Sequence, residues 1–289
     1  MMASTGLLGL AMTGSRAWRR ALAIGALLVA LVVPYFVRNE PVYARWIIAM
    51  SFLTLWVRLV DLARERRPVP AVRRWMHATL VVELRRTPRV PPSLQLGALV
   101  RLVGLGSLTA GAFAILWCVL PSEALANRVV RYSAVIVASY TTLDAFAAFC
   151  ILLWRGLGFA IPLMSNDPIK ARTVSEFWSQ RWNLAVGGWL RDHCFMPLAR
   201  RRHPNLGIVA AFAASTLLHV YLAWAGLDLR AGLTWGVFFV LQIPIVFAER
   251  ALRVAAWRPV LGRIWTIGVL LVASPFFVEP VLRGVEALR

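Results

Sequence analysis

The sequence is short of the residues that solvate a protein surface. Asp and Glu together number 13 against 32 Lys and Arg, and charged residues of both signs make up 16% of the chain, while 60% is hydrophobic. That balance excludes an ordinary soluble domain, in which about a quarter of residues are charged. Cys118, Cys150 and Cys194 form neither a CxxC pair nor an even set, so neither a disulfide framework nor a zinc site is indicated. No GxSxG, P-loop or HExxH pattern occurs, which argues against serine hydrolase, NTP-driven pump and zincin chemistry. Internal repeats and low-complexity stretches are missing as well. Without an inverted repeat or paired broken helices, a secondary transporter has little support.

What is present is hydrophobic length. Crossing a hydrocarbon core takes about 20 residues of helix, and seven segments approach or exceed that: Ala21 to Val37, Val42 to Val60, Gly97 to Leu120, Val130 to Trp154, Gly207 to Leu227, Ala231 to Ala248 and Ile264 to Leu282. Basic residues before the first could suggest a cleaved leader. No small-residue cleavage pattern follows Tyr35 to Arg38, so a retained helix is expected. The fold class is therefore all-α: a polytopic transmembrane helix bundle of about seven spans, or eight, forming one membrane-embedded domain over 1–289.

The net charge of +19 is explained by where the charges lie. Basic residues crowd the N-terminus (Arg16, Arg19, Arg20), the loop from Asp61 to Leu96, the loop from Arg155 to Leu206, and Arg250 to Arg263. The remaining loops and the C-terminus hold only Arg38, Arg128, Arg131, Arg230, Arg283 and Arg289. This alternation follows the positive-inside rule with a cytoplasmic N-terminus, and it removes the reason to expect a nucleic-acid partner. The expected location is a bacterial inner membrane. Both long cytoplasmic loops should carry amphipathic interfacial helices. One is expected over Ala71 to Arg86 with Trp75 on its apolar side. In the other, the run from Glu176 to Phe195 interleaves aromatic and basic residues; as a continuous helix it would place Trp178, Trp182 and Trp189 near one face. An ordinary aromatic belt at head-group depth, with Arg reaching the phosphates, is the simpler account of that spacing.

Ionisable residues within spans need a reason, because burying charge in lipid is costly. Arg45, Arg58, Arg101, Arg131 and Glu279 lie near span ends, where they can snorkel. His219 and Asp144 are central. His219 shares a helix face with Ser215 and Thr216, a face that should point into the bundle. A neutral imidazole there could serve as a general base, or merely hydrogen-bond a neighbouring helix. Asp144 could pair with an arginine, be neutral, or orient His219. His77, His193 and His203 fall in loops; His193 beside Cys194 lacks an orienting third residue and is weak evidence for nucleophilic catalysis.

The stretch from Pro162 to Pro197 resembles the signature of the wax synthase branch of the membrane-bound O-acyltransferases. Ser175, Glu176, Phe177, Trp178, Arg181, Trp182, Asn183, Leu190, Arg191, Phe195 and Pro197 match it, and about one helix later Ser215 and His219 fit the family's intramembrane histidine. The resemblance covers 162–221, taken as the acyltransferase core segment. Ser179 and Gln180 replace the usual Gly and Arg, and Val220 replaces an acid, departures that bear on the acceptor alcohol. The resemblance implies a fatty acyl-CoA co-substrate bound from the cytoplasm and a lipophilic alcohol arriving from the membrane. His219 would be the general base and Asn183 the residue holding the thioester or its oxyanion. Lys170, Arg172 and Arg181 would contact CoA phosphates, and Trp178, Trp182 and Ser215 would line the substrate. It implies no metal and no tightly bound cofactor. Diacylglycerol, a sterol, a sugar or a secondary-metabolite hydroxyl remain alternative acceptors, and a non-catalytic lipid transporter or scaffold is the alternative of a different class.

Overall fold

A computed structural model of the chain describes residues 8, 11, 12, 15–119 and 124–288. Among these residues the regular structure is helical, and six single helices are long and apolar enough to cross a membrane: α1 (Arg16–Phe36), α2 (Val42–Arg64), α4 (Leu96–Cys118), α5 (Leu125–Gly156), α8 (Pro204–Gly226) and α9 (Leu229–Ala251). The expected end of the third span at Leu120 and the terminal Arg289 lie outside the described residues.

The last expected span, Ile264 to Leu282, is not one straight helix. It divides into α10 (Pro259–Ala273) and α11 (Pro275–Glu286), which meet at 53°. Pro275 has no N–H to give the carbonyl one turn back, and its ring opposes continuation of the helix. The Ser274 hydroxyl and backbone N–H both donate to the Leu271 carbonyl instead, at 2.8 and 3.1 Å.

The bundle is held by neighbouring pairs. The α1–α2 hairpin packs through α2 onto α8, α8 pairs with α9, α9 with α11, α11 with α5, and α5 with α4. Lipid tails are as apolar as leucine, so close packing, more than exclusion of water, holds such helices together. The α8–α9 contact shows the device. Gly232 and Gly236 form a GxxxG spacing on α9, and a Cβ at either position would fall 2.7 Å from the Val220 carbonyl oxygen or from the Val220 Cγ2, respectively. Only hydrogen fits at those two places, so the helices approach closely.

The two long basic loops depart from expectation in two ways. Helix α3 (Ala71–Thr79) is shorter than the expected Ala71 to Arg86, and the chain is irregular by Val81. The Trp- and Arg-rich run is broken. Its first piece, α6 (Val174–Glu176), continues as a π-helical turn over Phe177–Arg181. The chain then reverses at Asn183, and α7 (Leu184–Leu190) runs on through a second π-helical stretch, Arg191–Phe195, to Met196–Ala199. Trp178, Trp182 and Trp189 therefore do not share one helical face. Trp182 stacks on Phe177 with the rings at 15°, Trp178 inserts among Phe212, Phe238 and Phe239, and Trp189 meets Trp56 of α2.

Candidate functional site

His219 sits on α8 with its ring against α9. Its centroid is 3.8 Å from that of Phe239, stacked, and 5.2 Å from that of Trp235, edge-on. Nδ1 lies 2.8 Å from the Ser215 carbonyl oxygen. A carbonyl can only accept, so Nδ1 carries the proton and Nε2 is left as the basic nitrogen. Ser215, buried, thus acts on His219 through its backbone. Thr216 spends its hydroxyl on the Phe212 carbonyl at 2.8 Å.

Asn183 occupies the reversal between the two helical pieces, with φ 41° and ψ 59°. Asparagine tolerates this left-handed region better than most residues. Its Oδ1 accepts the Val186 N–H at 3.4 Å and caps α7. The break is braced from outside: the Met164 carbonyl accepts the Leu184 N–H at 2.9 Å, and Asn166 N–H donates to the Arg181 carbonyl at 2.9 Å. The Asn183 amide group, with its oxygen used by the cap, retains two N–H donors.

Of the three cations expected to meet phosphate, Arg181 is the most committed. Its Nε is 2.6 Å from Glu176 Oε1, and Nη1 donates to the Asn166 carbonyl at 3.1 Å. Burial raises the Glu176 carboxyl, but the Arg172 backbone N–H and the Arg181 guanidinium outweigh it and hold the group below the ordinary glutamate range. Lys170 is exposed and pairs with Asp167 at 2.7 Å. The Arg172 backbone packs where Gly262 of α10 leaves room; a Cβ there would be 2.6 Å from the Arg172 oxygen.

Three tethers fix this segment to the bundle, and two of them were not legible in the sequence. Arg101 of α4 spans Asp144 of α5, at 2.6 Å, and Asp167, at 3.2 Å. Asp144 is thereby a pairing partner for an arginine and Arg101 does more than snorkel. Glu249 of α9, 3% exposed, accepts the N–H groups of Val174 and Ser175 at 2.7 and 2.8 Å. Asp61 near the C-terminal end of α2 accepts from two imidazoles, His193 Nε2 at 2.7 Å and His77 Nε2 at 3.2 Å. His193 and His77 are thus on helical pieces and packed, and His77 is fully buried. His203 precedes α8 as an exposed cap residue. The signal available for Asp61 and Glu249 was an acid placed one residue past an apolar run, where an uncompensated charge needs a partner.

Asp61, His77 and Glu83 have donor atoms within 4.8 Å of one another, spacing that could bind a metal ion. The charge balance opposes it. Arg85 Nη2 lies 2.6 Å from Glu83 and 3.6 Å from Asp61, and Arg58 Nη1 is 3.5 Å from Asp61. Two guanidinium groups already occupy the place a cation would take. The cluster is a joint: it ties α2 and the first basic loop to the segment carrying Asn183.

From His219 a continuous set of ring contacts runs to that segment: His219 on Phe239, Phe239 against Trp178 at 5.7 Å, and Trp178 Nε1–H donating to Gln242 Oε1 at 3.1 Å. A furrow of about 450 Å³ between α9 and α11 is lined by Leu229, Arg230, Leu233, Thr234, Val237 and Phe276. Neither His219 nor Asn183 lines it.

Comparison with known proteins bears on this region. Residues 161–241 match the membrane bound O-acyl transferase family. The chain is 32% identical over 150 residues to Probable long-chain-alcohol O-fatty-acyltransferase 3 of Arabidopsis thaliana, a match covering 46% of this chain and 43% of that protein. It is 32% identical over 143 residues to Probable long-chain-alcohol O-fatty-acyltransferase 2 of the same plant, covering 44% and 41%. It is also 29% identical over 137 residues to Probable alginate O-acetylase AlgI of Pseudomonas aeruginosa, covering 46% and 24%. The chain thus aligns with less than half the length of these relatives. Asn183 and His219 both lie within the matched residues, and it is in this segment that the chain, an integral membrane protein, is similar to the membrane bound O-acyl transferase family and to the long-chain-alcohol acyltransferases.

Proposed function

We propose that the chain is a membrane O-acyltransferase that moves a fatty acyl group from acyl-CoA to the hydroxyl of a lipophilic alcohol, with His219 as general base. The observation that carries this reading is the His219 Nδ1 bond to the Ser215 carbonyl, which leaves Nε2 as the proton acceptor inside a segment matched by an acyltransferase family. The alcohol oxygen would attack the thioester carbon while Nε2 takes its proton. The tetrahedral oxyanion would collapse to expel CoA thiolate, which the imidazolium then protonates. Such base assistance contributes about 10² to 10⁴ in rate. Asn183 would donate to the oxyanion through Nδ2, and Lys170 and Arg172 at the interface would meet the CoA phosphates. Arg181 would hold Glu176 and the turn in place, with Trp178, Trp182 and Ser215 shaping the substrate path. No metal or bound cofactor takes part in this scheme. The N-terminus would face the cytoplasm of a bacterial inner membrane, where acyl-CoA is found.

A second reading keeps the chemistry and changes the acceptor. The similarity to a protein named for alginate acetylation supports a sugar hydroxyl as acceptor. Membranes containing the protein, incubated with labelled acyl-CoA and either long-chain alcohols or oligosaccharides, separate the two by product. Release of free CoA and ester formation should fall by about 10² or more in His219→Ala; unchanged turnover in a folded variant would overturn the assignment of the base.

A further inference from the structure

One face of α9 touches every layer of the candidate site. Trp235 and Phe239 pack on His219, Phe239 also meets Trp178, and Gln242 accepts the Trp178 indole N–H. Val246 shares a cluster with Val174 and Ile208, and Glu249 accepts the first two N–H groups of α6. The positions 235, 239, 242, 246 and 249 advance by four, three, four and three, the spacing of one helical face. The helix is thus a ruler with His219 at one end and the interfacial segment at the other.

Two of its marks are polar and buried: Gln242 is 0% exposed and Glu249 3%. A buried amide or carboxylate in a membrane helix is costly unless it is used. Gln242 is used twice. Its Nε2 donates to the Phe238 carbonyl at 2.9 Å, which fixes the amide so that Oε1 faces Trp178. Glu249 is bidentate to the backbone, so it holds the position of α6 whatever side chains α6 carries. The match to the acyltransferase family ends at residue 241, just short of both.

We infer that Gln242 and Glu249 are positioning residues that set how far the segment bearing Glu176, Arg181 and Asn183 stands from His219, Gln242 acting through Trp178 and Glu249 through the backbone of Val174 and Ser175. The inference rests on the acyltransferase reading for its consequence and on the geometry for its existence. Misplacing reacting groups by about 1 Å can cost ~10²-fold in rate, so the loss falls on kcat more than on KM.

Full-length protein in lipid nanodiscs, assayed with labelled acyl-CoA and a long-chain alcohol, tests it. Gln242→Leu should lower kcat by roughly tenfold to a hundredfold, with KM for acyl-CoA little changed, and Trp178→Phe should lower kcat by a similar factor. The double variant should be no slower than the slower single one, because both remove the same bond. Multiplying losses, or singles that keep the wild-type kcat, would overturn the role of Gln242. Amide exchange on the same samples needs no turnover. Glu249→Leu should speed exchange across 174–181 by roughly tenfold or more and leave α8 unchanged, with Glu249→Gln between it and wild type. Unaltered exchange at 174–181 would overturn the role of Glu249. Wild-type protein that forms no ester with any acceptor would instead overturn the acyltransferase reading, and the exchange result would still decide whether α9 holds the segment.

Discussion

The imidazole of His219 stacks on the ring of Phe239 with 3.8 Å between centroids, so a helix outside the one carrying the histidine sets the plane of its ring. The Ser215 carbonyl sets its tautomer. Together they leave one nitrogen and one direction for proton transfer. Phe239→Leu keeps the site apolar but removes the ring on which His219 stacks. A loss of about tenfold in kcat is expected, at a stability cost of about 1–3 kcal/mol from the lost ring contacts. Parallel measurement of turnover and thermal unfolding checks it, and equal losses in both would show the effect to be on folding.

Asn183 has two jobs that substitution can separate. Glycine accepts the left-handed backbone that Asn183 adopts and replaces an asparagine cap at a cost of only a few tenths of a kcal/mol. It has no amide to offer an oxyanion. Asn183→Gly should therefore leave the unfolding temperature nearly unchanged while turnover falls by about 10² to 10³. Asn183→Ala should lose turnover and also stability, by about 1–2 kcal/mol for the strained backbone. Full turnover in the glycine variant would confine Asn183 to its structural job.

The α8–α9 contact makes a prediction about size alone. Gly232→Ala drives a methyl to 2.7 Å from a backbone oxygen that cannot rotate away, whereas a methyl at Gly268 meets nothing within 4 Å. The first should cost about 1–3 kcal/mol and loosen His219 from Trp235 and Phe239. Gly268→Ala should be neutral or slightly stabilising. Thermal unfolding of the two variants in one detergent is the measurement, and equal midpoints would contradict the close approach.

The joint at Asp61 should resist removal of its acid. Asp61→Ala leaves two histidines, Arg58 and Arg85 without their shared carboxylate, and breaking such a buried pairing costs about 3–5 kcal/mol. His193→Ala removes one of its bonds and should cost less. Burial pushes the His77 imidazole below its ordinary value, despite the opposing hydrogen bond that it donates to Asp61. Chemical denaturation of both variants would rank them, and the reverse order would show that His193 carries the joint.

Acidity should weaken the segment through Glu176. Its carboxyl is held below the ordinary glutamate value, so the folded form binds fewer protons there than the unfolded form. The stability it contributes is fully present above the unfolded pKa of about 4.3. It is lost as pH falls through the lower, folded value. Between pH 6 and 8 the pair should be constant. Wild type should lose unfolding temperature below about pH 4 more steeply than Glu176→Gln; parallel curves would show that Glu176 does not bear the acid sensitivity.

Six of the expected spans, their approximate ends and the polar face of α8 were legible because each depends on local hydrophobic run length. The resemblance around Ser175 to His219 was legible for a similar reason, since it is carried by residue types at fixed spacing. Three things were not. The run from Glu176 to Phe195 reads as one helix by periodicity, yet it breaks at Asn183 because carbonyl and N–H groups of 164–166 are there to take up the backbone bonds the helix gives up. The last span reads as continuous because hydropathy is blind to the N–H that Pro275 lacks. Asp61 and Glu249 read as loop acids at span ends, since nothing local distinguishes a solvated carboxylate from one that caps a distant backbone.

By itself, then, the sequence determined that the chain lies in a membrane as an all-α bundle, and it carried the segment that is similar to the membrane bound O-acyl transferases. Those follow from free energies that act residue by residue: transfer to hydrocarbon, helical hydrogen bonding and the cost of charge in lipid. The tertiary structure alone decided how His219 and the interfacial segment are held in relation to each other. That depends on Gln242 meeting Trp178 across 64 residues, Glu249 meeting Val174 across 75 and Asp61 meeting His193 across 132. Such contacts exist only once the helices have packed, and the glycines at 232 and 236 let them pack closely enough.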